Sequence, residues 1–318
     1  MKILIVGGGG FIGSALLQRF AREHDCVCFG HGGRFAELRE SVGGRVEYVE
    51  GELTDARLLR EAVRSSDAVL HVAGSGGEVP CLSDPVGSVL THVQGTHLLL
   101  QEVLREGVET LVFASTIAVY GTYKARAMPL EEEMDARPDD FYAALKATAE
   151  RVLLDAGRGQ ILRLANVYGY GSGHGSTRAS GVIGRFVEAA LGGEPLQLFG
   201  GGTQAIDYVH VDDVCAAFEA ALKRRGGQFV YNVAGGRPAT VKSLAELTVE
   251  LAADVLGRRP EVIYAEAPPN KVWPDRWLAI GRAERELGWS PRVGLREGIR
   301  ELLVRSAAGA RGRAEEER

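Results

Sequence analysis

The first residues of the chain restrict its fold more than any other stretch. A short apolar run, Lys2–Val6, is followed by glycine at positions 7 to 10 and 13, and helical periodicity begins at Ser14. Glycine at 7, 10 and 13 lets the turn close, lets the backbone approach a pyrophosphate, and lets the helix pack against the strand. This pattern predicts a strand, a turn and a helix whose free N–H groups bind a dinucleotide. The residues predicted to contact the cofactor here are Gly7, Gly10, Phe11, Ile12 and Gly13.

Strand-like and helical segments alternate after this turn. Apolar runs at 25–29, 45–50, 67–74, 109–114 and 160–165 are separated by segments with helical periodicity. Such alternation predicts an α/β fold with a parallel, doubly wound sheet of the Rossmann type and a smaller C-terminal substrate-binding subdomain. We expect residues 1–166 to form the dinucleotide-binding domain, which also receives elements from about 207–234. Residues 167–306 should be mainly substrate-binding, and 307–318 should form a flexible tail.

Composition limits the classes of partner. The chain has 318 residues, 45% hydrophobic and 25% charged, with a formal net charge of -5. This charge offers no basic field for nucleic acid, and no apolar run is as long as a membrane span. The four cysteines lack the paired spacing of metal ligands, and Met1 leads directly into a strand. We therefore expect a cytoplasmic protein with reduced thiols and no metal, and neither nucleic acid nor a membrane as partner.

The end of the second predicted strand bears on the choice of cofactor. An acidic residue usually follows this strand and binds the ribose hydroxyls of NAD, but here the sequence continues from Gly30 through His31 to Arg34. No carboxylate stands at this position to repel the 2′-phosphate of NADP, and Arg34 could pair with that phosphate. The sequence therefore favours NADP over NAD. The other residues predicted to contact the cofactor in this half are His31, Glu52, Leu53 and Ala73.

Three residues predict proton-transfer chemistry. Tyr142 and Lys146 are four apart in a stretch of strong helix formers, so both should lie on one helical face. A neighbouring ammonium favours the phenolate and should lower the pKa of the tyrosine toward the range of a general base. Thr116 follows a predicted strand, and its hydroxyl could hydrogen-bond the reacting oxygen. Lys146 and Tyr142 would also contact the cofactor.

Two loops are predicted to contact substrate. The segment 75–85 is rich in glycine and proline and follows a strand, where ligands bind in open α/β sheets, so Ser75 should face substrate. The segment 170–180 is rich in glycine and serine and is typical of a lid or binding loop. His174 and Arg178 in this second loop could touch an anionic substrate.

Five spaced motifs resemble one known family. The sequences at 7–13, 114–121, 142–146, 163–169 and 286–291 are similar to those of the extended short-chain dehydrogenase/reductases, in the NAD-dependent sugar-nucleotide epimerase/dehydratase branch. The resemblance implies that Tyr142 is the base, that Lys146 holds the nicotinamide ribose, and that Thr116 hydrogen-bonds the substrate hydroxyl. It also implies that Asn166 approaches the phosphates of a nucleotide sugar. Members commonly form homodimers through two helices, here 86–105 and 139–156.

Three departures from the family pattern leave alternatives open. Gly30 stands where an acid is usual, His92 where an asparagine is usual, and Ile206 where an arginine normally meets the sugar-nucleotide diphosphate. Arg178, Arg185, Lys271 and Arg276 are the candidates to replace that arginine. No Asp-Glu pair follows Thr116, which disfavours a dehydratase.

The sequence therefore supports three hypotheses. The first is an epimerase of a nucleotide-linked sugar that uses NAD or NADP. The second is an NADP(H)-dependent carbonyl reductase or alcohol dehydrogenase acting on a smaller or non-nucleotide substrate. The third is a catalytically silent protein that binds a dinucleotide, which the presence of Thr116, Tyr142 and Lys146 disfavours.

Overall fold

The protein is represented by a computed structural model that describes residues 1–31, 33, 35–121, 123–124, 126–170, 181–224, 227–267 and 273–316, with side chains through residue 309. The strands are β1 (Lys2–Val6), β2 (Asp25–Gly30), β3 (Val46–Glu50), β4 (Ala68–His71), β5 (Thr110–Thr116), β6 (Gly159–Leu164), β7 (Asn166–Tyr168), β8 (Leu196–Phe199), β9 (Ala205–Ile206), β10 (Tyr208–His210), β11 (Gln228–Val233), β12 (Ala239–Thr240) and β13 (Val262–Ala265). The α-helices are α1 (Phe11–Phe20), α2 (Phe35–Ser41), α3 (Ala56–Arg64), α4 (Glu78–Ser83), α5 (Pro85–Val89), α6 (Thr96–Arg105), α7 (Phe141–Asp155), α8 (Val182–Gly192), α9 (Val211–Lys223), α10 (Val241–Leu256), α11 (Gly281–Leu287) and α12 (Leu295–Glu316).

A seven-stranded parallel sheet is the centre of the fold. Its strand order is β11-β6-β5-β4-β1-β2-β3, and every neighbouring pair runs parallel. The order reverses between β1 and β4, and in open α/β sheets ligands bind at the carboxyl ends of the strands beside such a reversal. The predicted doubly wound parallel sheet is confirmed, and the reversal places the glycine-rich turn after β1 at the ligand-binding edge.

Both faces of the sheet are covered by helices. Side chains alternate along β1, so that Ile3 and Ile5 pack in one apolar cluster with α1 and α9, whereas Leu4 and Val6 pack in another with α3, α6 and α7. Burial on both faces explains why the strands are continuous apolar runs in the sequence. A third apolar cluster joins α8, α10 and α12 with β8 in the C-terminal part of the chain.

The helices show two differences from the sequence predictions. The single helix predicted for 86–105 consists of α5, a π-helical turn at Leu90–Gly95, and α6. The segment 307–318, predicted as a flexible tail, is helical through Glu316 as part of α12. Among the helices that the structure describes, none combines the length and the apolar character that crossing a membrane requires.

The four cysteines are buried and unbonded. Cys26 and Cys28 lie two residues apart on β2 and pack in the same apolar cluster, because alternate residues of a strand face the same side. Burial raises the pKa of both thiols to about 12, so both are protonated at neutral pH. These side chains therefore act as small apolar groups in the core.

Candidate active site

The glycine-rich turn is set by close backbone contacts. Gly7 has φ +89°, and a Cβ atom there would lie 2.6 Å from the backbone of Ala73. A Cβ atom at Gly13 would lie 2.1 Å from the Gly7 carbonyl oxygen. Only glycine fits either position. Gly10 precedes α1 and provides no side-chain cap, so the N–H groups of the first helical turn are available to a phosphate.

A cavity of about 450 Å³ lies beside this turn. It is lined by the ends of β1, β2, β3 and β4, and so by most residues predicted to contact this half of the cofactor: Gly7, Gly10, His31, Glu52, Leu53 and Ala73. His31 Nδ1 lies 3.1 Å from Glu52 Oε1, and both side chains are exposed. Arg34, on which the predicted NADP preference partly depends, lies outside the described residues.

A second cavity, of about 830 Å³, continues from the first. Both cavities are lined by Gly10, Val72, Gly74 and Ser75, so together they form one cleft along the carboxyl edge of the sheet. Phe11, Ile12 and Gly13 line the second cavity on one side. Thr116, Tyr142 and Lys146 line it on the other, so the three residues predicted for catalysis lie in one cavity.

Each of these three residues is held by its own element. Thr116 ends β5, and its hydroxyl accepts a hydrogen bond of 3.2 Å from the N–H of Ala118. Tyr142 lies in the first turn of α7, which begins after Asp140, whose carboxylate accepts a hydrogen bond of 2.8 Å from the Ala143 N–H. Lys146 follows one turn later.

Lys146 is buried and anchored to the sheet. Its side chain is only 5% exposed, and its Nζ donates a hydrogen bond of 2.8 Å to the Ala114 carbonyl oxygen. Nζ also lies 4.7 Å from the centre of the Phe113 ring. Burial lowers the pKa of Lys146 to about 8, because the charged form loses hydration.

The pKa of Tyr142 differs from the sequence prediction. Burial raises it to about 12, and the hydrogen bond with the Thr116 hydroxyl opposes this only in part. The predicted lowering by Lys146 was therefore wrong for the protein chain. The physical reason is that burial removes water from the phenol, which destabilises the charged phenolate.

His92 packs against Tyr142, a contact that the sequence analysis did not predict. It lies in the π-helical turn, is buried, and packs edge-on against Tyr142 with ring centres 5.9 Å apart. Its Nε2 lies 3.9 Å from Cys81 Sγ. Burial, with the charge of Lys146, lowers the pKa of His92 to about 3, so the ring is neutral. The only signal in the sequence was the departure from asparagine, and π-turns occur often at functional sites.

His71 occupies a buried, structural position. It is buried on β4, where its Nε2 lies 2.8 Å from the Thr96 hydroxyl, and burial lowers its pKa well below the usual value. Thr96 in turn donates a hydrogen bond of 2.7 Å to the carbonyl oxygen of His92. His71 therefore supports the π-helical turn from inside the sheet.

A third cavity, of about 820 Å³, continues from the second toward the C-terminal part of the chain. Asn166, Gly181 and Arg185 line both of these cavities. Asn166 Nδ2 donates a hydrogen bond of 3.1 Å to the Asp207 carbonyl oxygen, which fixes its orientation. His174 and Arg178, also predicted to contact substrate, lie outside the described residues.

The model of the NAD dependent epimerase/dehydratase family matches residues 3–234 of the chain. The chain belongs to this family. It is 32% identical over 96% of its length to a UDP-glucose 4-epimerase of Azospirillum brasilense, 90% of which is covered. The solved structure of a Thermus thermophilus UDP-glucose 4-epimerase in complex with NAD is 31% identical, with a TM-score of 0.82 over 98% of this chain and 100% of that one. A Thermotoga maritima UDP-glucose 4-epimerase with UDP-glucose is 27% identical, with a TM-score of 0.83 over 99% and 100%.

A buried ion pair near Tyr142 and Lys146 was not foreseen from the sequence. Arg163 on β6 lies 2.7 Å from Glu150 on α7, and both side chains are at least 94% buried. The Ser115 hydroxyl on β5 donates to the same carboxylate. Burial alone would lower the pKa of Arg163, but the hydrogen bond and charge of Glu150 outweigh it and raise the pKa. The pair therefore ties α7 to two strands beside Thr116.

Proposed function

We propose that the protein is an NAD(P)-dependent epimerase of a nucleotide-linked sugar with Tyr142 as general base. The observation that carries this proposal is the convergence of Thr116, Tyr142 and Lys146 on one cavity that continues from the glycine-rich turn. The third cavity supplies room for the nucleotide part of such a substrate. UDP-glucose 4-epimerases among the relatives of this family support the same activity.

In the proposed reaction, Tyr142 takes the proton from a sugar hydroxyl that Thr116 holds by a hydrogen bond. Because burial raises the pKa of Tyr142 to about 12, the phenol is protonated at neutral pH in the protein chain alone. Oxidised nicotinamide, when bound, would supply the hydride acceptor and donor, and its positive charge would favour the phenolate. For the configuration to invert, the keto sugar would turn over in the cleft before the hydride returns. Lys146, anchored to Ala114, would hold the nicotinamide ribose. Tyr142 then returns the proton on completion, with no net redox change.

The cofactor residues fit a dinucleotide. The free N–H groups at the start of α1 would bind its pyrophosphate, and the cavity beside His31, Glu52 and Leu53 would hold the adenosine. The family is NAD-dependent. From Gly30 and Arg34 in the sequence we propose a preference for NADP in this chain. Thermal stabilisation measured with each dinucleotide separately tests this, since the tighter ligand raises the Tm more at equal concentration.

Turnover of nucleotide sugars tests the main proposal. Purified protein should interconvert a sugar nucleotide and its epimer, such as UDP-glucose and UDP-galactose, without consuming added cofactor. Tyr142→Phe should lower the rate by about 10²- to 10⁴-fold, the usual contribution of a general base. Tyr264→Phe is the matched control, because Tyr264 is exposed on β13. Full activity in Tyr142→Phe would refute the assigned base.

A net oxidoreductase is the second candidate. It is favoured by Ile206, because this apolar residue lines the third cavity where a cation would be expected for a diphosphate. In that case turnover would consume external NADPH in a one-to-one ratio with a smaller carbonyl substrate. Stoichiometric consumption of NADPH would therefore exclude the epimerase.

We also propose a homodimer through the helical segments 86–105 and 139–156. Large apolar side chains are exposed along the first of them, with Val86 69%, Val89 42% and Leu90 39% exposed. Their spacing of three and four residues places them on one helical face, as expected of a buried contact between helices. Light scattering after gel filtration should give twice the chain mass of 34.1 kDa.

A further inference from the structure

Ile206 has a basic neighbour on the adjacent segment of chain. The Arg276 N–H donates a hydrogen bond of 2.8 Å to the Ala205 carbonyl oxygen. The Asp207 N–H donates one of 3.0 Å to the Arg276 carbonyl oxygen. Residues 206 and 276 are therefore paired in a parallel bridge. Paired residues of a sheet direct their side chains to the same face, so Arg276 lies on the face that Ile206 presents to the third cavity.

Tyr208 presents a buried hydroxyl on the same face. It is two residues beyond Ile206, lines the third cavity, and is 6% exposed. Its hydroxyl oxygen has no hydrogen-bond partner among the described residues. Burial raises the pKa of Tyr208, and the charges of Arg276 and Arg185 act against it, so both guanidinium groups lie near this ring.

Arg185 is exposed, and Arg276 is half-buried. Burial lowers the pKa of Arg276, although the charges of Asp140 and Asp139 act in the opposite direction. Buried polar groups are normally paired, so the buried Tyr208 hydroxyl without a partner among the described residues, with the two arginines beside it, indicates a site that an anion completes.

The location of the set indicates which anion. Arg185 lines both the cavity that contains Tyr142 and the cavity that contains Tyr208. A sugar held at Tyr142 and a nucleoside held in the third cavity would be joined at this boundary. The group that joins them in a nucleotide sugar is a diphosphate, whose charge two guanidinium groups match.

We propose that Arg185, Arg276 and the Tyr208 hydroxyl bind the substrate diphosphate in place of the arginine that the family pattern puts at Ile206. This inference rests on the proposed function, since it assumes a nucleotide-linked substrate. The sequence offered four basic residues that could replace the missing arginine, and this proposal selects two of them, Arg185 and Arg276. Arg178 and Lys271 lie outside the described residues.

Calorimetric binding of UDP and of uridine to the full chain tests the assignment. A charge-assisted hydrogen bond contributes enough that Arg276→Met or Arg185→Met should each weaken UDP binding about 10- to 100-fold. Uridine, which lacks the phosphates, should bind both variants as it binds the unmodified protein. Arg45→Met is the matched control, because Arg45 lies just before β3, its side chain is 84% exposed, and it pairs with Asp25 at 3.4 Å. It should bind both ligands normally.

Two further variants separate ligand binding from folding. Tyr208→Phe removes only the unpartnered hydroxyl, so it should weaken UDP binding several-fold while leaving the Tm of the ligand-free protein unchanged or higher. Adding Ile206→Arg to Arg276→Met should restore UDP binding, because a guanidinium returns to the same face. A Tyr208→Phe variant that loses stability but not affinity would contradict the assignment.

The outcomes also distinguish this inference from the proposed function. If the unmodified protein epimerises nucleotide sugars but both arginine variants bind UDP normally, the diphosphate assignment fails and the proposed function stands. If these variants bind UDP and uridine with equally weakened affinity, the assignment is likewise overturned. If the unmodified protein neither binds UDP nor turns over nucleotide sugars, the proposed function itself fails.

Discussion

Replacing Glu150 with glutamine should destabilise the protein through loss of one charge in its core. Glu150 lies on α7, two turns beyond Tyr142, and Arg163 donates to its carboxylate through Nε and Nη2 at 2.7 to 3.2 Å. The guanidinium also lies 4.7 Å from the centre of the Tyr120 ring. Glutamine has the same shape as glutamate, so the substitution leaves no cavity. It leaves a buried guanidinium without a counter-charge.

The expected loss follows from burial. The Arg163 and Glu150 side chains are 6% and 3% exposed, and removing one partner of such a pair costs about 3–5 kcal/mol. Unfolding entropy is about 2.1 cal/mol/K per residue, which gives roughly 0.7 kcal/mol/K for this chain. The Tm should therefore fall by about 4–8 °C. Misplacement of α7 should lower turnover as well, since this helix carries Tyr142 and Lys146.

Urea unfolding and thermal melts of Glu150→Gln measure this loss. Asp155→Asn on the same helix is the control, because it removes the Arg151–Asp155 pair, whose side chains are 76% and 59% exposed. An exposed pair contributes only about 0–1 kcal/mol, so the Tm should change by 1–2 °C at most. A loss below about 1 kcal/mol in Glu150→Gln, equal to the control, would refute the reasoning that this pair holds α7.

Three other predictions concern the cofactor turn, a buried lysine and a buried carboxylate. Gly13→Ala should abolish stabilisation by NAD, because its Cβ would lie 2.1 Å from a backbone oxygen of the turn, and melts with and without NAD would show it. Lys146 has its pKa lowered from 10.5 to about 8, so the unfolded chain holds more protons between these values and stability should rise with pH across this window. Lys146→Met should lack that rise in urea titrations at a series of pH values. Asp213→Ala should lower the free energy of unfolding by about 2–3 kcal/mol, because the buried carboxylate accepts two backbone N–H groups at 2.9 Å from the segment before α12, and a loss under 0.5 kcal/mol in urea would contradict this.

Sequence patterns alone predicted the parallel, doubly wound sheet and many of the residues that line the cleft. The glycines of the first turn are required by close contacts within and beside that turn, and such steric needs are visible in the residue types. The alternation of apolar runs with helical periods requires a parallel sheet, which brings the end of β5 and the start of α7 to one edge. Thr116, Tyr142 and Lys146 could therefore be placed together, while their roles remain proposals.

Tertiary structure decided the features that depend on burial and on pairing between distant residues. Charge patterns suggested a lowered pKa for Tyr142, but removal of water raises it, and only the packed cleft shows that. The contact between Glu150 on α7 and Arg163 on β6, and the shared face of Ile206 and Arg276, arise because folding brings different elements together in space. Residue types and their spacing predict the local conformation of the backbone. Desolvation and the pairing of buried charges are properties of the assembled fold, and no single segment contains them.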